Sequence, residues 1–146
     1  MRRVEAGITI AAPPEAVFAF VADLANLPRW QTGIVSAART SPDPIGVGST
    51  ARVVREMAGQ SLTVDLTITE FEPGRRLALE SQASGVSVTA TLEMEPADTD
   101  GSVARSGIEI KAGSLFMAPL EGVIANAAAG ELASGLERLR DAVEGG

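Results

Sequence analysis

The chain contains no cysteine, no histidine and no tyrosine, and its single tryptophan is Trp30. Without cysteine there is neither a disulfide framework nor thiolate chemistry, so the fold must stand on packing alone, and a reducing cytoplasm is the expected compartment. Without histidine a serine nucleophile has no imidazole to take its proton. Metal binding would fall to carboxylate oxygens, and no metal or other cofactor is expected. Positive charge is also scarce: twelve Lys and Arg stand against nineteen Asp and Glu, for a net charge of -7. The basic residues are scattered, with doublets only at Arg2-Arg3 and Arg75-Arg76. That distribution opposes a nucleic-acid partner, which needs clustered cations to displace counterions. No run of 18 apolar residues occurs, so no membrane-spanning helix is expected. The opening MRRVEAGITIAAPPEA sets a glutamate and two prolines where a secretory signal needs a continuous apolar stretch.

What is present is a regular alternation of elements. Val4, Ala6, Ile8 and Ile10 alternate with Arg3, Glu5, Gly7 and Thr9, predicting a half-buried strand over 3–11. Pro13-Pro14-Glu15 suits a first helical turn, where the missing proline N–H has no partner to lose. Val17, Phe18, Phe20, Val21 and Leu24 then follow helical spacing over about 14–23, and Asp23 or Asn26 can cap a second brief helix near Pro28. Six strands are predicted at 34–40, 49–57, 61–71, 76–83, 86–95 and 102–111, separated by turn-forming residues. From about 115 to 143 the period changes again: Leu120, Val123, Ile124, Ala127, Leu132, Leu136, Leu139 and Val143 advance by threes and fours, giving a long amphipathic helix. Its first half is rich in small residues, and Gly122, Gly130 and Gly135 are weak points in it. No repeat or linker interrupts the order, so a single domain over 1–146 is expected, of α+β class: a seven-stranded antiparallel sheet with one dry face that curls around the long helix.

The stretches ITIAAPPEAVFAFVADLANLPRW, GVGST and ITEFEPGRRLAL resemble the SRPBCC (START-like) superfamily, and within it the polyketide cyclase/dehydrase-like group. The resemblance covers nearly the whole chain. It implies the helix-grip fold, with two short helices between strands 1 and 2, and a deep apolar cavity between the sheet and the C-terminal helix. It hands over no catalytic residues, because the superfamily spans aromatases, cyclases, lipid carriers, hormone receptors and allergen-like binders. The absence of histidine and tyrosine favours a binder of a small hydrophobic molecule, polyketide-, lipid- or isoprenoid-like, over an enzyme. The alternatives are a polyketide cyclase, aromatase or dehydrase, which demands a carboxylate inside the cavity, and a protein-interaction or chaperone-like module with a filled core. A monomer or a homodimer fits equally.

Trp30 follows the short helices and precedes the second strand, so it either anchors that corner of the fold or borders the pocket. If Gly59-Gln60 make a two-residue turn, Met57, Arg55, Val53 and Ala51 lie opposite Leu62, Val64, Leu66 and Ile68. Arg55 then projects from the dry face, where a guanidinium needs an acidic or carbonyl-bearing partner; a ligand head group could be that partner, or Arg55 could reach out at the barrel mouth. Ser81, Ser106 and Thr50 are the hydroxyls that some register turns inward, whereas Glu56, Glu80 and Glu109 are expected to face water. Val88, Ala90 and Ile108 complete the inward strand positions. On the long helix Phe116, Met117, Leu120 and Ile124 are expected to line the cavity, and the small residues Ala125, Ala127, Ala128, Ala129 and Gly130 to leave space beside them. Asp98-Thr99-Asp100-Gly101 reads as a hairpin turn, and Gly46-Val47-Gly48 lacks the GK[ST] of a phosphate loop.

Overall fold

A computed structural model of the chain describes every residue except Met1, Asp43, Ala58, Ser84, Thr99, Phe116, Met117 and Gly146, and describes the backbone alone at Met57, Ala83 and Leu120. Strand β1 (Arg2–Ile10) leads into α1 (Pro14–Ala22), a 3-10 turn (Leu24–Asn26) and the one-turn helix α2 (Leu27–Trp30). The sheet continues with β2 (Ile34–Arg39), β3 (Thr50–Met57), β4 (Gln60–Glu72), β5 (Arg76–Ala83), β6 (Val86–Ala97) and β7 (Gly101–Ala112), and α3 (Ala118–Gly145) closes the chain.

The seven strands form one antiparallel sheet in the order β1-β7-β6-β5-β4-β3-β2. After β1 the chain crosses through α1 and α2 to the far edge and then returns strand by strand, which brings β7 beside β1. Period-2 patterning puts alternate side chains on one face, and α3 lies against that face, chiefly over β1 and β7. Among the described residues the helix runs from Ala118. Pro119 suits an early helical position, where its missing N–H has no partner to lose.

Asp23 accepts a hydrogen bond from the Ala25 N–H at 3.2 Å and so caps the 3-10 turn, as its position predicts. The β3–β4 turn differs from expectation by a slip of two residues. Met57 pairs with Gln60, Arg55 with Leu62 and Val53 with Val64, and Gly59 lies in the turn at φ +78°. Because side chains alternate with period 2, a slip of two leaves every one on its expected face; a slip of one would have inverted them all.

Two groups of buried apolar side chains lie between sheet and helices. The larger joins Ile10, Val17, Phe18, Val21, Leu24, Leu27 and Trp30 to Ile68, Leu77, Leu92, Leu136 and Leu139. The smaller consists of Val86, Ile110, Ala125 and Ala128, with Val4, Val88, Ile108 and Ile124 packed against it. The small residues of α3 therefore do not leave a void on their buried side. Ala125 and Ala128 let the helix approach Val86 and Ile110, and Ala127, Ala129 and Gly130 face solvent.

Candidate functional site

Cross-strand register arranges the inner face in rows. One row runs Ala51, Leu66, Ser81, Val88, Ile110, and its neighbour runs Ile68, Leu79, Ala90, Ile108, Val4. Ala51 and Ile110, which the register extends to Arg39 and Arg2 on the edge strands, are fully buried. Leu66, Ser81 and Val88 between them are only half-buried, as are Ala90, Ile108 and Val4 in the second row. The described side chains thus bury both flanks of the strip in the first row and its Ile68–Leu79 flank in the second, and leave an apolar strip, with one hydroxyl, part-covered. Five of the residues expected to line a ligand space lie on this strip, and Ile124 of α3 packs beside it.

The others divide. Val53 is fully packed into the larger core. Ser106 is buried and its hydroxyl donates to the Thr91 carbonyl at 3.0 Å, so it serves the sheet rather than a ligand. Thr50 lies on the opposite face, its hydroxyl 2.7 Å from that of Thr40. Met57 and Leu120 have undescribed side chains, and Phe116 and Met117 lie outside the described residues.

Arg55 does project from the inner face, and its partner is within the chain. Its Nη2 donates to Oε2 of Glu131 on α3, with roughly a quarter of each side chain exposed (26% and 24%). The pair lies against Gly33, whose position brings the Arg55 guanidinium and the Glu131 carboxylate together under the α2–β2 link. The acidic partner that Arg55 needs, for which a ligand head group was one candidate, is therefore supplied by the chain itself. The strand-by-strand search for an inward carboxylate missed Glu131 because it is on the helix. The available signal was its helical position, three residues after Ala128 and four before Gly135, both buried.

Glu131 belongs to a line of contacts that ties the Trp30 corner to α3. Thr32 Oγ1 donates to Ser134 Oγ at 3.2 Å, and Arg138 Nη2 donates to the Pro28 carbonyl at 2.7 Å. Gly135 lies directly beneath the Trp30 carbonyl. Trp30 itself is 4% exposed and is the corner anchor its sequence position suggests. It also walls a small cavity of about 10 Å³ bounded by Leu77, Leu79, Ala90, Leu92 and Ser106. That volume admits roughly one water-sized group. The deep open cavity implied by the resemblance is therefore nearly closed at this end.

A broader hollow, about 300 Å³, lies on the other face of the sheet among Arg3, Glu5, Gly7, Thr91, Glu93, Arg105 and Gly107. Its cations are already paired: Arg3 with Glu5 at 2.5 Å and Glu109 at 3.6 Å, and Arg105 with Glu95 at 3.3 Å. Glu93 pairs with Arg76. The hollow is a dent left by two glycines in a charge-balanced, solvent-facing surface.

Residues 1–144 match the family described as polyketide cyclase / dehydrase and lipid transport, and the chain belongs to that family. A segment of 71 residues, 49% of the chain, is 39% identical to the uncharacterized protein Rv2574 of Mycobacterium tuberculosis, of which it covers 41%. Among solved structures, the di-domain ARO/CYC BexL from the BE-7585A biosynthetic pathway superposes over 99% of this chain and 47% of its own, at 23% identity and a TM-score of 0.78. A START superfamily protein from Mycobacterium smegmatis superposes over 97% of this chain and 98% of its own, at 17% identity and a TM-score of 0.77. At these identities the structural likeness establishes the helix-grip fold.

Proposed function

We propose that this protein binds a small hydrophobic molecule between the sheet and α3. The observation that carries this reading is the half-buried strip Leu66, Ser81, Val88, Ala90 and Ile108, flanked in the first row by the fully buried Ala51 and Ile110 and on one side of the second by the buried Leu79. An apolar strip left part-covered inside a well-packed fold has a hydrophobic driving force for anything that fills it, about 25 cal/mol for each Å² removed from water. Family membership supports the same reading. Since the described space beside Trp30 is small, a bound molecule displaces the corner or the first half of α3, and its affinity must offset that movement.

A second reading, a polyketide cyclase or dehydrase, rests on Glu131. This carboxylate at the inner edge could take a proton from a carbon next to a carbonyl and return it to an oxygen.

Native mass spectrometry of the purified protein, before and after organic extraction, tests the binding reading. An additional mass that leaves on extraction is the expected result, and incubation of the extracted molecule with fresh protein separates carriage from conversion. No additional mass, together with no change of Trp30 fluorescence across a panel of polyketides and fatty acids, would overturn it in favour of a protein-interaction role.

A further inference from the structure

The indole Nε1 of Trp30 is a buried donor with no hydrogen-bond partner. A donor left this way costs on the order of 1–3 kcal/mol, and native folds rarely keep one without a use. Of the other polar residues around the cavity that Trp30 walls, Ser106 Oγ donates to the Thr91 carbonyl and Thr91 Oγ1 to the Gly107 carbonyl at 3.3 Å, while Gln31 adds an amide that can donate or accept. Ala90 belongs both to this cavity and to the part-covered strip, so the cavity is the inner end of the proposed binding space.

From this we infer that the occupant is an apolar molecule carrying a neutral acceptor oxygen, a ketone or ester carbonyl, at its leading end, and that this oxygen accepts from Trp30 Nε1. The inference rests on the binding reading and names its ligand class. Besides Trp30, the cavity is walled by Leu77, Leu79, Ala90 and Leu92 together with the neutral polar residues Gln31, Thr91 and Ser106, with no cation among them. A carboxylate or phosphate placed there would be buried without a counter-charge, at far greater cost than a neutral carbonyl. The nearby guanidinium of the inner face, Arg55, is already engaged by Glu131.

The test uses the chain's one tryptophan, which gives a single indole N–H resonance in protein labelled with ¹⁵N-tryptophan. Two matched probe pairs differ only in C=O against C=CH2: 2-acetylnaphthalene with 2-isopropenylnaphthalene, and 2-tridecanone with 2-methyl-1-tridecene. Each ketone should move the indole proton downfield, and its alkene should not. The ratio of alkene Kd to ketone Kd should fall about tenfold on Trp30→Phe, which keeps a ring and deletes the donor; taking the ratio cancels the different hydration of the probes. If the probes bind but the indole is indifferent to the oxygen, this inference fails and the binding reading stands. That is also the result if a trapped water already occupies the donor. If neither pair binds, both fall. Should Trp30→Phe not fold, the wild-type indole shift decides alone.

Discussion

Gly135 of α3 lies so close under the Trp30 carbonyl that a β-carbon there would stand 2.8 Å from the oxygen. Helix propensity alone says that replacing a mid-helix glycine with alanine should stabilise by up to about 1 kcal/mol. At Gly135 the contact is with backbone, which cannot swing aside, so Gly135→Ala should instead destabilise by about 1–3 kcal/mol as the corner is pushed off the helix. Gly130, five residues earlier, is exposed with nothing near its missing side chain. Gly130→Ala should show the propensity gain. Urea unfolding midpoints of the two variants should move in opposite directions; the same sign for both would refute the close-approach explanation.

The Arg55–Glu131 pair joins the middle of β3 to the middle of α3 while about three quarters of each side chain is out of water. Truncating one member strands the other's charge where solvent reaches it poorly, so Arg55→Met and Glu131→Gln should each cost about 1–3 kcal/mol. Combining them removes both charges and should cost less than the sum, leaving a coupling of about 0.5–3 kcal/mol in a double-mutant cycle. Arg52 and Asp65, paired at 3.0 Å with most of each side chain in water, provide the contrast. Their coupling should be at or below about 1 kcal/mol and fade with salt.

Ser102 is fully buried and its hydroxyl donates at 2.5 Å to the carbonyl of Ala12, which fixes the chain between β1 and α1. Ser102→Ala leaves that carbonyl unanswered and should lower stability by about 1–3 kcal/mol. The loss should also appear as faster amide exchange at Ala12 and in the first turn of α1.

Much of this architecture was legible in the sequence, because it depends on alternation. A strand such as Val86 to Met94 shows its dry face in its own residues, and even a misplaced β3–β4 turn left Arg55 on the correct face. Contacts that alternation does not encode were hidden. Glu131 reads as one more polar residue of an amphipathic helix until Arg55 of β3 is brought within reach of it, and Gly135 reads as a helix defect until Trp30 is brought above it. The extent of the space depends on how far α3 and the corner approach the sheet, a property of tertiary packing with no local signature. The small residues of α3 predicted a void. They allowed close contact instead.

Ser81 sits midway along the part-covered row, between Leu66 and Val88, and is the polar member of an otherwise apolar strip. A leucine there would place four carbons where a ligand is proposed to lie. The site is only half-buried, so the new side chain should be accommodated with a change in stability under about 1.5 kcal/mol, unlike an insertion into close-packed core. Its effect on binding should be larger. By filling the strip, Ser81→Leu should weaken retention of a hydrophobic ligand at least tenfold, read by native mass spectrometry against the unfolding midpoint of the same sample. Ser81→Ala, which changes polarity without filling the space, should alter retention by less than about threefold. Equal loss in both variants would mean that the hydroxyl, not the space beside it, recognises the ligand; no loss in either would place the ligand elsewhere.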